Sequence, residues 1–232
     1  MSDPRPTHVT APPARVALIH ATALAIDPIS DAFARLWPDI ERLNLLEDRL
    51  SQDRARDGHL TAAMVERFQS LARYAISAGA HAILFTCSAF GPAIEAVAAS
   101  VAVPVLKPNE AMFDEALAGG SRIGLVATFE PSLAPMREEL LAMAQERGQA
   151  IELRECHVPQ AMQLLAQGDA QAHHDRVAHA VATLGDCDVV MLAQFSMAGA
   201  AVAARAQARC PVLTSPDCAV QALRAALGAR TA

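Results

Sequence analysis

The chain alternates between short apolar runs and longer stretches in which apolar residues recur with helical spacing. Residues 15–20, 82–85 and 122–126 are apolar runs too short for helices and typical of buried parallel strands. Residues 61–77 and 161–184 carry apolar positions every three to four residues, which predicts helices. Strands that alternate with helices of this length form βαβ units. The pattern therefore predicts an α/β protein with parallel sheet.

The same reasoning places the other elements along the chain. Strands are predicted at residues 15–20, 40–46, 82–85, 104–106, 122–126, 151–153, 189–193 and 211–213. Helices are predicted at residues 27–36, 61–77, 92–100, 110–117, 131–147, 161–184, 198–208 and 220–227. The helical stretch at 161–184 contains a break near Gly168 and Asp169. Residues 1–14 are polar and rich in proline, and we expect them to form a disordered tail.

The second half of the chain repeats the first at a fixed offset. Residues 15–19 align with 122–126, 82–87 with 189–194 and 104–106 with 211–213, each 107 positions apart. The register predicts two pseudo-symmetric three-layer parallel-sheet subdomains, one formed by residues 15–106 plus 215–232 and the other by 107–214. Ligands of such sheets bind beyond the carboxyl ends of the strands. The active site is therefore expected in the cleft between the two subdomains.

Composition narrows the class of function. The 232 residues are 53% hydrophobic, which is enough for a sizeable core, and the net charge of −6 argues against nucleic-acid binding. No apolar run approaches the roughly 20 residues that span a bilayer, and the N-terminus lacks the apolar segment of a signal peptide. Five cysteines, an odd number without CxxC spacing, do not form a disulfide framework. We expect a cytoplasmic protein with reduced thiols, and its alanine-rich helical surface permits a homodimer.

Cys87 is the strongest candidate for chemistry. It lies where the strand at 82–85 ends and the next helix is about to begin, with hydroxyl groups beside it on Thr86 and Ser88. Unpaired backbone N–H groups and the helix dipole favour a thiolate at such a turn, and they also suit a carboxylate ligand. The alternative is a buried structural cysteine, the commonest role of a free thiol.

Three more turns are expected at the cleft. Gln194 matches Cys87 in the repeat, and Phe195 and Ser196 follow it. Gln194 can form hydrogen bonds but cannot exchange a proton near neutral pH, and Ser196 also fits an N-cap. The remaining cleft candidates follow the first strand of each half, and each also fits a structural role: His20, Thr128 and Phe129.

Other motifs are absent or weak. The cysteines at 156, 187, 210 and 218 are expected to pack in the interior, and no residues show metal-ligand spacing. The sequence contains neither a glycine-rich phosphate loop nor a GxSxG elbow, so no nucleotide cofactor is expected. Lys107 follows the strand at 104–106 and is a weak candidate for contacting the second carboxylate of a dicarboxylate substrate.

These pieces together resemble the aspartate/glutamate/hydantoin racemase superfamily, which also contains maleate isomerase and arylmalonate decarboxylase. The resemblance rests on Phe85-Thr-Cys87-Ser, on residues 122–128 (RIGLVAT) and on residues 192–198 (LAQFSMA), and it covers nearly the whole chain after the tail. The last segment is similar to the Leu-Gly-Cys-Ala-Gly-Met-Ala motif of hydantoin racemases, with Gln194 in the place of the cysteine. Glu110 also has a counterpart in that superfamily.

The resemblance implies a cofactor-independent enzyme that moves a proton at the carbon α to the carboxylate of a small substrate. Carried over by position, Cys87 is the first of the two catalytic cysteines of such racemases. The turns around Ser88, Thr128, Phe195 and Ser196 would hold the carboxylate. Because Gln194 replaces the second cysteine, a racemase would need another group on that face, such as His20 or water or, less readily, Cys218. Three alternatives also stay open: a single-cysteine decarboxylase, a cis-trans isomerase and a non-catalytic carboxylate-binding protein.

Overall fold

The structure is a computed structural model that describes residues 14–229, and it contains the eight strands and ten helices defined here. The strands are β1 (Arg15–His20), β2 (Glu41–Leu46), β3 (Ala82–Phe85), β4 (Val105–Leu106), β5 (Arg122–Ala127), β6 (Glu152–His157), β7 (Val189–Leu192) and β8 (Val212–Thr214). The helices are α1 (Ile26–Leu36), α2 (Arg49–Asp57), α3 (Ala62–Ser77), α4 (Gly91–Ala98), α5 (Glu110–Gly119), α6 (Leu133–Glu146), α7 (Ala161–Ala166), α8 (Ala170–Ala182), α9 (Ala201–Gln207) and α10 (Ser215–Gly228). The predicted tail at 1–14, apart from Ala14, lies outside the described residues.

The strands form two parallel four-stranded sheets with the same order. The first sheet runs β2-β1-β3-β4 and the second β6-β5-β7-β8. Val16 pairs with Ala82 in the first sheet, and Ile123 pairs with Val189, the residues 107 positions later, in the second. The outer pairs repeat in the same way, since Ile83 lies beside Val105 and Val190 beside Val212. The α/β prediction and the repeat in strand register are confirmed.

Helices cover both faces of each sheet, as the apolar character of the central strands requires. On the first sheet, α2, α3 and α4 pack on one face and α1 and α10 on the other. On the second sheet, α5 and α6 pack on one face, and α8 and α9 on the other. Each sheet is therefore the middle layer of three.

The first half gains a core residue from the second. Phe195 follows β7, yet its side chain packs among the residues of α1 and α10 on the first sheet, including Phe33 and Leu223. Thr214 caps α10 by accepting a hydrogen bond from the Asp217 N–H (3.3 Å). Burial of Phe195 fixes the turn after β7 against the turns of the first half.

Three elements differ from prediction. Helix α2 was not predicted, because of its nine residues only Leu50 is buried and the rest are mostly polar. Ion pairs from Arg67 to Asp53 (2.7 Å) and to Glu47 hold α2 to the first half instead. Strand β6 continues to His157 because it is an edge strand, in which polar residues are tolerated. Helix α10 begins at Ser215, five residues before the predicted start.

A cluster of three phenylalanines stabilises the first half. Phe68 of α3 lies 5.1 Å from the Phe85 ring and 4.8 Å from the Phe90 ring, and all three side chains are buried. We expect Phe68→Ala to lower the free energy of unfolding by about 3–5 kcal/mol, the usual cost of such a cavity. Urea denaturation measures this loss. Tyr74→Ala on the same helix is the control, since Tyr74 is 58% exposed and its replacement should change the stability little. Equal effects of the two substitutions would contradict the packing described here.

None of the helices within residues 14–229 has both the length and the apolar character needed to cross a bilayer.

Candidate active site

A cavity of about 190 Å³ lies where the carboxyl ends of the two sheets meet. Every stretch of its wall follows the end of a strand, and both sheets contribute. Its volume is below the 300–1,000 Å³ typical of sites for drug-sized ligands, so it suits a small molecule. The lining residues are Thr22, Leu24, Ala25, Thr86, Cys87, Ser88, Pro108, Asn109, Ser132, Met136, Ala193, Gln194, Phe195 and Ser196.

Cys87 lies in this wall directly after β3. Its backbone is extended, and the 3₁₀ helix Ser88–Phe90 begins at the next residue. Burial raises the pKa of the Cys87 thiol, and the nearby Ala89 backbone N–H and Ser51 hydroxyl lower the pKa only in part. The expectation that this turn favours a thiolate is therefore wrong, because desolvation outweighs the N–H groups. Cys87 rests as a neutral thiol and is a proton donor near neutral pH.

The pH dependence of alkylation tests this state of Cys87. An ordinary cysteine ionises with a pKa of about 8.5. Because only the thiolate reacts, we expect iodoacetamide to modify Cys87 with an apparent pKa above that value. Modification at pH 8 should be slower than for the same cysteine in urea-unfolded protein. Peptide mass spectrometry measures the rate at Cys87, and an apparent pKa below 8.5 would contradict the effect of burial.

Gln194 is held in place at both ends of its amide. Its Oε1 atom accepts hydrogen bonds from the Thr128 backbone N–H (2.9 Å) and the Thr128 hydroxyl (3.2 Å). Its Nε2 atom donates to the Ser132 hydroxyl (2.5 Å), which donates in turn to the Phe129 carbonyl (2.7 Å). The position that matches Cys87 is therefore occupied by a fixed, neutral amide.

His20 lies behind the wall rather than in it. Its side chain is fully buried, with Nδ1 at 2.8 Å from the Thr86 hydroxyl and Nε2 at 3.1 Å from Oδ1 of Asn44. Burial lowers the pKa of His20, and the hydrogen bond to Asn44 opposes this only in part. The imidazole is therefore neutral near pH 7 and contacts the cavity only through Thr86.

The structure brings six of the nine predicted site residues into the cavity wall: Thr86, Cys87, Ser88, Gln194, Phe195 and Ser196. The other three lie elsewhere. His20 and Thr128 are buried one layer behind the wall and hydrogen-bond to residues in it. Phe129 is 46% exposed and lies outside the cavity, because its turn points the ring to the surface.

Sequence reasoning missed several wall residues. Asn109 is the most important of them, because its amide can form hydrogen bonds to a ligand. Asn109 is 3% exposed and follows β4, a strand end that the topology places at the cleft. Its Oδ1 accepts a hydrogen bond from the Ser215 hydroxyl (2.7 Å), which leaves the amide hydrogens for a ligand oxygen. The other missed residues are Thr22, Leu24, Ala25, Pro108, Ser132, Met136 and Ala193.

The cavity wall carries little charge. Among the described residues, Cys87 is the one side chain of the wall that ionises in the ordinary pH range. Lys107 lies outside the wall, where its ammonium contacts Glu95 (3.0 Å) and Glu139 (3.4 Å). The structure therefore does not place it where it would contact a second carboxylate group of a substrate. Residues 14–229 contain no group of three or more His, Cys, Asp or Glu side chains able to hold a metal ion.

The other four cysteines lie away from the cavity. Cys187 and Cys218 are buried in the cores of the second half, and Cys156 and Cys210 pack against one of those cores. Burial also raises the pKa of Cys218, and the neighbouring Glu115 carboxylate raises it further. Cys218 is therefore a neutral thiol in the core and does not replace the missing second cysteine.

Comparison with known proteins gives a family and a fold. The family model described as Asp/Glu/Hydantoin racemase matches residues 34–223. A search of curated protein sequences found no significant match.

Solved structures of similar fold include two racemases and a decarboxylase. A glutamate racemase from Bacillus anthracis superposes with a TM-score of 0.67 at 14% identity, covering 94% of this chain and 82% of that one. The allantoin racemase from Klebsiella pneumoniae gives a TM-score of 0.68 at 18% identity, covering 93% and 88%. A point mutant of arylmalonate decarboxylase gives 0.64 at 17% identity, covering 92% and 93%. At these identities the similarity shows the fold.

Proposed function

Because the chain belongs to the Asp/Glu/hydantoin racemase family, we propose that it is an enzyme in which Cys87 transfers a proton at the carbon α to a carboxylate or related carbonyl of a small substrate. One observation carries the proposal: the only ionisable side chain found in the described cavity wall is the Cys87 thiol, located where strand ends from both sheets converge. A group that exchanges a proton with a bound substrate has to lie within reach of it.

The polar groups around Cys87 suit the intermediate of such a reaction. The small thiolate fraction of Cys87 accepts the α-proton and becomes the thiol, while the C–H electron pair moves onto the carboxylate or carbonyl and forms an enolate-like anion. The Asn109 amide hydrogens and the hydroxyls of Ser88 and Ser196 are donors in the cavity wall. Donors fixed in position stabilise such an oxyanion without reorganising. Return of a proton from the Cys87 S–H to the α-carbon regenerates the substrate and the thiolate that began the cycle.

Gln194 restricts the proposed reaction to one face of the substrate. A carboxamide does not gain or lose protons near neutral pH, and this one is held by Thr128 and Ser132. The two-thiol racemase mechanism needs an acid or base on each face. We therefore infer proton exchange on the Cys87 face, with the configuration of the α-carbon retained.

A second candidate, decarboxylation, is favoured by the neutral state of Cys87. Loss of CO2 breaks a C–C bond and leaves the electron pair on the α-carbon and its remaining carboxylate, so the enzyme needs a proton donor but no base. A half-buried neutral thiol in the wall meets that need, since the S–H proton forms the new C–H bond. Water then returns a proton to the thiolate.

A substrate panel in deuterated water separates these functions. The panel contains enantiopure α-amino acids, 5-substituted hydantoins, arylmalonates and maleate, each followed by NMR. We expect deuterium at the α-carbon of at least one compound or, for the second candidate, CO2 release with one deuterium in the product. Conversion of maleate to fumarate would identify a cis-trans isomerase. Binding without any reaction would show a carboxylate-binding protein and contradict the proposal.

The proposal includes a small carboxylate or carbonyl substrate and a cytoplasmic location. The location is supported by the five cysteines, all of which are free, as is usual in a reducing compartment. A homodimer stays a prediction.

A further inference from the structure

A series of hydrogen bonds runs from Asn44 through the buried His20 to the Thr86 hydroxyl in the cavity wall. Thr86 is 5% exposed and lines the cavity beside Cys87, while His20, on the neighbouring strand, is fully buried. The two His20 nitrogens contact different partners, the Thr86 hydroxyl at 2.8 Å and Oδ1 of Asn44 at 3.1 Å. Because β1 pairs with both β2 and β3, the chain of hydrogen bonds crosses three strands.

The direction of these bonds follows from the number of protons. A neutral imidazole carries one N–H and one acceptor nitrogen. Oδ1 of Asn44 accepts only, so the N–H lies on Nε2 and Nδ1 is the acceptor. The Thr86 hydroxyl has one proton, and it donates that proton to Nδ1. The other acceptor within its reach, the Ile19 carbonyl, is farther away at 3.4 Å.

We propose that His20 is a positioning residue that makes the Thr86 hydroxyl a hydrogen-bond acceptor toward the cavity. The substrate group at Thr86 is then an N–H or O–H donor, such as an amide, amine or alcohol, and not a carboxylate oxygen. The carboxylate or carbonyl oxygen is left to the donors on Ser88 and Asn109. This inference rests on the proposed function and refines it, because it assigns a donor group to the substrate next to the carbon that faces Cys87.

Two ionisable residues lie close to this series of hydrogen bonds, Cys87 and Glu47. Cys87 is adjacent to Thr86, and its thiol is neutral for the reason given above. The backbone N–H of Glu47, which follows β2, donates to the His20 carbonyl (3.0 Å), while its carboxylate contacts Arg67. Whether the Thr86 hydroxyl accepts or donates toward the cavity is therefore controlled by Asn44. Asn44 is an exposed residue, and its replacement should not disturb the core.

The test combines the imidazole tautomer with a matched pair of probes. The 15N chemical shifts of His20 in the full-length protein are expected to show the Nε2–H tautomer. Propionamide and propionate, which have the same shape, are then titrated while the Thr86 amide resonance is followed. Propionamide donates a hydrogen bond and propionate only accepts. The ratio of their dissociation constants therefore reports whether the Thr86 hydroxyl accepts or donates a hydrogen bond toward the cavity.

Two variants at Asn44 test this link: one should change the tautomer and the other should keep it. Asn44→Leu removes the acceptor, so the proton should shift to Nδ1 and the Thr86 hydroxyl should turn to donate into the cavity. The affinity ratio should then move toward propionate by about fivefold, the value of one neutral hydrogen bond. Asn44→Gln keeps an uncharged amide acceptor at this position and should not move the ratio toward propionate as Asn44→Leu does.

An Nδ1–H tautomer in the wild type overturns the inference, and so does the same affinity ratio in wild type and Asn44→Leu. Absence of any shift at Thr86 with both probes would also overturn it. These readouts need no turnover and leave Cys87 in place. Failure of the inference is therefore distinguishable from failure of the proposed function, which is judged by α-carbon exchange in Cys87 variants.

Discussion

Replacing Cys87 by alanine is expected to slow α-carbon proton exchange by roughly 10²- to 10⁴-fold, the usual contribution of one general acid or base. The loss is expected to be this large because the wall described here offers no second ionisable side chain to take over the proton. The measurement is the rate of deuterium incorporation for the best compound of the panel. If decarboxylation is the reaction, the rate of product formation falls by a similar factor.

Cys156→Ala is the matched control for this experiment. Cys156 is also half-buried, burial also raises the pKa of its thiol, and it lies in a separate surface groove between β6 and α8. We expect the control to keep full activity. Full activity in Cys87→Ala as well would show that the thiol has no part in the reaction and would contradict the proposed function.

Substitution of cysteine for Gln194 is expected to add a second proton-transfer group opposite Cys87. The two positions are related by the 107-residue repeat and lie in the same cavity wall. The substitution also frees the Thr128 N–H and hydroxyl, which Gln194 now occupies, as donors for a substrate oxygen. We expect the rate of racemisation to rise on the order of 10²-fold, the lower end of the effect of an acid or base group.

Chiral chromatography of an enantiopure substrate measures that gain, and Gln194→Ala is the control. Alanine frees the same Thr128 donors but supplies no exchangeable proton, so it should not produce racemate. Equal racemisation in the two variants would show that the amide merely blocks the site. No racemisation in Gln194→Cys, with the fold intact by circular dichroism, would contradict the assigned position of Gln194.

The repeat was the most informative feature of the sequence. Three apolar strands at one offset predicted two sheets of the same order, and the strand pairs confirm that register. These strands are visible in the sequence as continuous apolar runs because both of their faces are buried. Helix α2 lacked such a signal, since Leu50 is its one buried residue and ion pairs of Arg67 supplement that apolar contact.

The site was only partly predictable for a physical reason. Position in the repeat located Cys87 and Gln194, because backbone topology alone brings the turns after β3 and β7 to the same cavity. The pKa of Cys87 was predicted in the wrong direction, since desolvation depends on packing that no local pattern reports. The same limit applies to His20, whose place behind Thr86 depends on the register of three strands.

Asn109 could have been found from the sequence. The strand at 104–106 has the same relation to the cleft as the strands before Cys87 and Gln194, and the first polar side chain after it that faces the cavity is Asn109. Its contact with Ser215 joins residues 106 positions apart in sequence, so only the folded chain shows which end of the amide is free.

The most direct test of the central claim is the position of deuterium in a substrate exchanged by the wild-type enzyme. An enantiopure compound from the panel is incubated in deuterated water, and NMR and chiral chromatography follow exchange and configuration together. Transfer by Cys87 alone predicts one deuterium at the α-carbon with the configuration retained, and loss of this exchange in Cys87→Ser. Deuterium that appears together with racemisation in the wild type, or exchange that persists in Cys87→Ser, would contradict it.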